Sequence, residues 1–179
     1  MPKRLWLNPK RKNRGILITA GIITVSDKGS RGEREDISGK EIKKLLEGIS
    51  IKIVDYEVIP DEKDIIINKL VEYTDRKKLD LIVTTGGTGV SPRDVTPDAT
   101  LEVIEKEVPG ISEAMRREST VLTPNAMISR AVTGVRKNSL IINLPGSPKG
   151  ARENLAVVLP ALKHAIEKIK GDDSECAVL

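Results

Sequence analysis

An α/β fold, with a mostly parallel sheet covered by helices on both faces, is what this sequence predicts. Three observations carry the prediction. Apolar, β-branched runs alternate with segments of helical periodicity from residue 16 to residue 85. Each run ends in a polar junction containing Gly, Pro, Ser or Asp, as strands of such sheets do at their carboxyl ends. Two later runs, separated by Lys137-Asn138, read as an antiparallel hairpin added to the sheet.

The elements follow in order. ILITAGIITV over 16–25 is a strand buried on both faces, and DKGSRGERED over 27–36 is a polar loop. Ser38-Gly39-Lys40-Glu41 matches a capping box, with Ile42, Leu45, Leu46 and Ile49 on one helical face. IKIVDYEVI over 51–59 is a second strand, stopped by Pro60. Asp61 can cap a helix that turns Ile65, Leu70 and Val71 inward. LDLIVTT over 79–85 is the third strand. Thr96-Pro97 opens a helix running to about Glu107, and Pro109-Gly110 breaks it before a shorter helix over 111–118. The hairpin takes 130–136 and 139–144. Ser147-Pro148 then caps a last helix with Leu155, Val158, Leu159, Leu162, Ile166 and Ile169 at helical spacing, a kink at Pro160 and an end at Gly171.

Composition bounds the rest. A chain of 179 residues suits one domain with a genuine core. With 2% aromatics and no Phe, that core must be built from Ile, Val and Leu. Charged residues reach 31%, a balance that leans towards heat adaptation. The net charge of +4 is local: six Lys or Arg lie in residues 1–15, and without them 24 basic residues face 26 acidic ones. We expect a basic, solvated arm over 1–15, a domain over 16–171 and a flexible tail over 172–179. With Trp6 the arm's one aromatic, nucleic-acid binding is not expected. Cys176 and His164 are single, which excludes an internal disulfide and a transition-metal site of the usual kind, and fits a reducing cytoplasm. The arm and first strand imitate a signal peptide, but SDKGS follows where small cleavage-site residues would be needed. The ending CAVL matches a prenylation pattern short enough to arise by chance. No apolar run approaches a membrane-spanning length, so a soluble protein with no membrane partner is expected.

The chemistry should sit at the strands' carboxyl ends. After the third strand comes TTGGTGVSPRDVTPDAT, residues 84–100. Here Gly86, Gly87 and Gly89 free backbone N–H groups to face an anion, with Thr85 and Thr88 beside them and Arg93 adding charge. Neither the Walker nor the Rossmann spacing is present, and a tight turn remains the bland alternative. Pro145-Gly146-Ser147-Pro148-Lys149 repeats the anion-friendly design at a helix start. Asp27, Asp61 and Asp94 gather at the same edge, though each alone has a structural reading as a turn, a cap or loop polarity. A carboxylate beside a phosphate calls for a mediating cation, and Mg²⁺ is the usual one. His164 forms no recognisable triad.

These residues resemble the MoaB/Mog family of molybdenum-cofactor biosynthesis proteins, which includes the N-terminal domain of gephyrin and the adenylylating domain of the plant Cnx protein. The resemblance rests on the glycine motif together with TVSDKGSRGEREDISG at 24–39, VIPDE at 58–62 and MISRAVTGVRKNSLIINLPGSPK at 127–149, and spans about Ile16 to Lys170. It implies a three-layer α/β/α sandwich, commonly a trimer or a pair of trimers. It implies a molybdopterin adenylyltransferase, taking ATP as co-substrate, molybdopterin as substrate and Mg²⁺ as cofactor. Carried over by position, Asp61 and Asp94 are the catalytic acids, with Asp94 also the candidate Mg²⁺ ligand. The nucleotide- and pterin-binding candidates are Asp27, Thr85, Gly86, Gly87, Thr88, Gly89, Arg93, Ser119, Ser129, Pro145, Gly146, Ser147 and Lys149.

Two other readings compete. One is a non-catalytic molybdopterin-binding or scaffold member of the same family. The other is the related metal-inserting molybdotransferase, which normally carries further domains and whose loop reads differently from GGTGVSPRD. Molybdenum against tungsten, trimer against hexamer, and which loop takes pterin or nucleotide stay open at this level.

Overall fold

The computed structural model describes residues 17–173. The arm over 1–15, Trp6, the strand start at Ile16, Cys176 and the CAVL ending lie outside them. The described chain builds β1 (Ile18–Val25), α1 (Asp27–Ser30), α2 (Ile37–Gly48), β2 (Ile51–Ile59), α3 (Lys63–Val71), β3 (Leu81–Thr85), α4 (Thr96–Val103), β4 (Lys106–Glu107), α5 (Pro109–Leu122), β5 (Thr133–Arg136), β6 (Ser139–Leu144) and α6 (Pro148–Ile169).

One six-stranded sheet runs in the order β2-β1-β3-β6-β5-β4. β2, β1, β3 and β6 are parallel, and the β5–β6 hairpin and the short edge strand β4 supply the antiparallel pairs. β1 and β3 lie in the middle and are buried almost throughout, which is why their sequences are continuous rather than alternating apolar runs. On one face α2, α5 and α6 cover a core of Ile22, Ile42, Leu46, Val83, Met115, Leu155 and Leu162. On the other, α3 and α4 cover Ile23, Ile66, Leu70, Ile82 and Ala99. The architecture is the expected three-layer sandwich. Buried Asn143 is fully used: its amide donates to Thr84 and Thr100 Oγ1, and its carbonyl accepts from Val132 N.

Several local expectations are corrected. The loop at 27–36 contains a helical turn, α1, capped by Ser26 Oγ accepting from Gly29 N. α2 is capped by Asp36, which accepts from Gly39 N, and not by Ser38. The cap sits two residues earlier because Asp36 is itself anchored by Thr24 and Tyr56 hydroxyls. α3 shows no side-chain cap among the described residues, and Ile66 rather than Ile65 faces the core. α3 continues into an unforeseen π-helical turn at Glu72–Arg76. α4 stops at Val103, since 106–107 pair with β5, and Thr96 follows the cap position, held by Val95, instead of filling it. Pro109 opens α5 rather than breaking a helix, as proline without an N–H suits a first turn. The hairpin's first strand starts at Thr133, not at 130, and α6 ends two residues before Gly171, which takes φ +88°.

Candidate functional site

The chain leaves β1 towards β2 on one side and reaches β3 on the other. The carboxyl ends of β1 and β3 therefore flank the sheet's topological switch point, where a crevice opens. Two aspartates clasp each other's backbone there. Asp61 Oδ2 accepts from Asp27 N at 2.7 Å, and Asp27 Oδ1 accepts from Asp61 N at 3.1 Å. The expected capping role of Asp61 is thus replaced by a tie between the ends of β1 and β2. Arg93 lies across the clasp, donating to both Asp27 oxygens at 2.9 to 3.2 Å and to Glu62 at 2.8 Å. The two carboxyls are pushed apart. The Arg93 hydrogen bonds hold Asp27 below the usual carboxylate range, helped by the Asp61 backbone. Burial pushes Asp61 up against the lowering Asp27 backbone bond, and the charges of Asp27 and Asp94 add to the rise.

The glycine loop passes directly over this clasp. Gly86 takes φ +104° and Gly87 φ +62°, and a Cβ on Gly86 would lie 2.2 Å from Val25 O. A Cβ on Gly87 would lie 2.5 Å from Thr96 Oγ1 and 3.3 Å from Asp61 Oδ1, so glycine is required at both positions. The 145–148 junction is fastened against it: Gly86 N donates to Leu144 O, Thr85 Oγ1 to Pro145 O at 2.7 Å, and Ser38 Oγ to Gly146 O at 2.7 Å.

Two cavities adjoin this junction and share Ser147. The larger, about 620 Å³, is lined by Ser26, Asp61, Thr85, Gly86, Gly87 and Gly146. Residues of the α2 start (Asp36, Ile37, Ser38) and of the α6 start (Ser147, Pro148) complete it, so two helix N-termini border the glycine loop. The smaller, about 240 Å³, takes Thr88, Gly89, Ser119, Ser129, Pro145 and Ser147 with Arg116 and Asn154. Among the predicted residues, the fold thus gathers most into these two adjoining spaces.

Three stand apart. Lys149 lines neither cavity, and its side chain is 74% exposed, 3.9 Å from Glu153. Arg93 is occupied as described. Asp94 turns onto its own loop, accepting from Ser91 N at 2.8 Å. That loop is held by Arg130, which donates to Gly89 O, to Asp94 O and to both oxygens of Asp98. Asp98, in the first turn of α4, is thereby paired with Arg130. The α2 start and Arg34, both lining the larger cavity, escape sequence reasoning as site components. The SxxE match points to the helix while hiding that its first turn faces a cavity.

Among the described residues no cluster of three His, Cys, Asp or Glu could hold a metal unaided. A Mg²⁺ site would suit one or two carboxylates together with a ligand's phosphates, and the crowded Asp61, disfavoured as an anion by burial and by two neighbouring aspartates, fits that role.

Comparisons with known proteins bear on the family and the fold. A family model described as a probable molybdopterin binding domain matches residues 21–164. Molybdopterin adenylyltransferase of Helicobacter pylori strain J99 is 43% identical over 157 residues, covering 87% of this chain and 89% of that protein. Gephyrin of Dictyostelium discoideum is 45% identical over 156 residues, 82% of this chain but 22% of gephyrin. The crystal structure of the molybdopterin biosynthesis enzyme MoaB from Thermus thermophilus superposes with a TM-score of 0.83 at 51% identity, covering 87% of this chain and 98% of that one.

Proposed function

Because the chain belongs to the family of probable molybdopterin binding domains, we propose that it is a molybdopterin adenylyltransferase, forming adenylyl-molybdopterin and pyrophosphate from ATP and molybdopterin. The observation that carries this reading is the larger cavity at the switch point, where two helix N-termini and a double-glycine loop converge beside Asp61. That is a cradle for phosphates, and the curated relatives' names supply the reaction.

The chemistry asks little of side chains. An oxygen of the molybdopterin phosphate attacks the α-phosphorus of ATP, the bond to the β-phosphate oxygen breaks, and its electrons leave with pyrophosphate. The attacking oxygen is already anionic, so no base is required. Positioning and charge neutralisation carry the transfer. The adjoining cavities meet at Ser147, which suits two substrates held end to end. Backbone N–H groups of Gly87, Thr88 and the α2 and α6 starts hold phosphate oxygens, while Thr88, Ser119 and Ser129 offer hydroxyls in the smaller space. Asp61, with Asp94 completing the set, would hold Mg²⁺. When bound, that ion offsets charge on the triphosphate. A homotrimer and a cytoplasmic location belong to the same proposal. Exposed Val121, Leu122, Met127 and Ile128 support self-association, and among the described residues no helix is long and apolar enough to cross a membrane.

A binding or scaffold role is the second reading, favoured by the Asp94 carboxylate turned onto Ser91 N rather than into a cavity. The test is product formation from ATP, Mg²⁺ and molybdopterin by the native chain, Asp61→Asn and Asp94→Ala. We expect product from the native chain and a loss on the order of 10²-fold in each variant. Pterin binding without product from the native chain would establish the scaffold. Product from Asp94→Ala at the native rate would return Asp94 to an ordinary loop residue.

A further inference from the structure

The larger cavity is well supplied with dipoles and poorly supplied with side-chain cations. Its charged lining residues are Arg34, Glu35, Asp36 and Asp61. The acids are engaged: Glu35 pairs with Lys40, Asp36 accepts from Thr24, Tyr56 and Gly39, and Asp61 holds Asp27 N. Nearby cations are either engaged or, like Lys28, outside the cavity lining. Arg93 bridges Asp27 and Glu62, Arg31 pairs with Glu33, and Lys149 lies outside both cavities. Arg34 differs from all of these. Among the described residues its side chain makes no hydrogen bond or ion pair, it is exposed, and it borders the cavity. Its backbone is nevertheless well placed. Glu33 N donates to Lys28 O and Gly32 N to Gly29 O, closing the turn before it, and Asp36 is anchored two residues after it.

A guanidinium held at a cavity rim without an internal partner is suited to an anionic ligand, because binding would break no existing ion pair. We infer that Arg34 is the side-chain cation that binds a substrate phosphate group in the larger cavity. The inference rests on the adenylyltransferase reading and names a residue that reading did not use. Two sources offer the same chemistry, the polyphosphate of ATP and the monoester phosphate of molybdopterin. Arg34 would serve either by adding a full positive charge and a bidentate donor fork, which the backbone cradle lacks.

The experiment compares the native chain with Arg34→Ala and Arg34→Lys. Calorimetric titration measures affinity for ATP, pyrophosphate and AMP, and steady-state assays give KM for ATP and for molybdopterin separately. A weakening of about tenfold or more for ATP and pyrophosphate in Arg34→Ala, smaller for AMP and partly restored in Arg34→Lys, supports the inference with the polyphosphate as ligand. A rise confined to the molybdopterin KM supports it with the monoester as ligand. Equal constants in all three proteins would overturn the role of Arg34 while the adenylyltransferase stands. A native chain that neither binds ATP nor forms product would overturn both. Thermal melting of each variant separates lost binding from lost folding, and unchanged melting is expected for this exposed side chain.

Discussion

Thr96 carries an unresolved cost. Its side chain is fully buried beneath Gly87, and among the described residues its Oγ1 is the buried side-chain polar atom without a hydrogen-bond partner. An unpaired buried hydroxyl costs about 1–3 kcal/mol, whereas an apolar group of the same shape costs nothing comparable. Thr96→Val keeps the shape and removes the hydroxyl. Denaturant unfolding should show it equal to the native chain or up to about 1 kcal/mol more stable. A clear loss of stability would mean that the hydroxyl has a partner, such as an ordered water. Asp61 shows the opposite economy. Its carboxylate is crowded yet kept, tied to a backbone N–H at the point where phosphates are proposed to arrive.

At the scale of elements, the π-helical turn at Glu72–Arg76 shows how a local irregularity locks two distant segments. It presents Asp75 to the β5–β6 hairpin, where Arg136 makes two hydrogen bonds of 2.8 and 2.9 Å to it and Lys137 adds a third contact. Arg136 also donates to Val103 O, so one side chain joins the turn, the hairpin and the end of α4. These partners hold the Asp75 carboxyl well below its ordinary range, the Arg136 hydrogen bonds foremost. A depressed folded value means the carboxylate stabilises the fold above the unfolded pKa near 4, and that this contribution is lost as pH falls through the lower folded value. Asp75→Asn should therefore cost about 1.5–3 kcal/mol at neutral pH. Urea unfolding across pH should show the gap to the native chain closing below about pH 4. A gap that stays constant with pH would assign the loss to packing instead.

Over the whole molecule, isolated surface pairs such as Arg31–Glu33 and Lys63–Glu102 stand beside shared charge networks. Along edge strand β2, Lys69 joins Glu57 to Glu72, and Lys77 joins Glu72 to Asp55. Both lysines approach the ring of buried Tyr73, at 5.8 and 4.8 Å from its centroid. Tyr73 in turn packs where Gly21 leaves room in β1. Charged residues also blunt the exposed strand edge against pairing with another chain. Networks of this kind contribute more as temperature rises, since desolvating charge becomes cheaper. Lys77→Met keeps the apolar stem while removing the charge. It should lower Tm by about 2–4 °C for each kcal/mol lost, and the drop should shrink in 1 M salt. A salt-independent drop would place the effect in the packing on Tyr73.

The amino-acid sequence by itself determined the fold class, the positions of β1, β2, β3 and β6 and the two glycine-bearing junctions. These depend on local periodicity and on backbone conformations that particular residues favour or forbid. Continuous β-branched runs are stable only as buried strands, and Gly86 and Gly87 mark positive φ at the end of one. What only the tertiary structure decided is which polar group answers which. Asp61 reads locally as a helix cap, because an acid before a helical stretch usually is one; between the ends of β2 and β1 it binds Asp27 N, 34 positions away. Arg93 reads as a free cation until the fold sets it against Asp27 and Glu62. Arg34 has no distinguishing local pattern, and its place beside the cavity emerges only once α2 packs against the 145–148 loop. Periodicity is a short-range property of the chain, whereas hydrogen-bond partnership is settled by the packing of segments far apart in sequence.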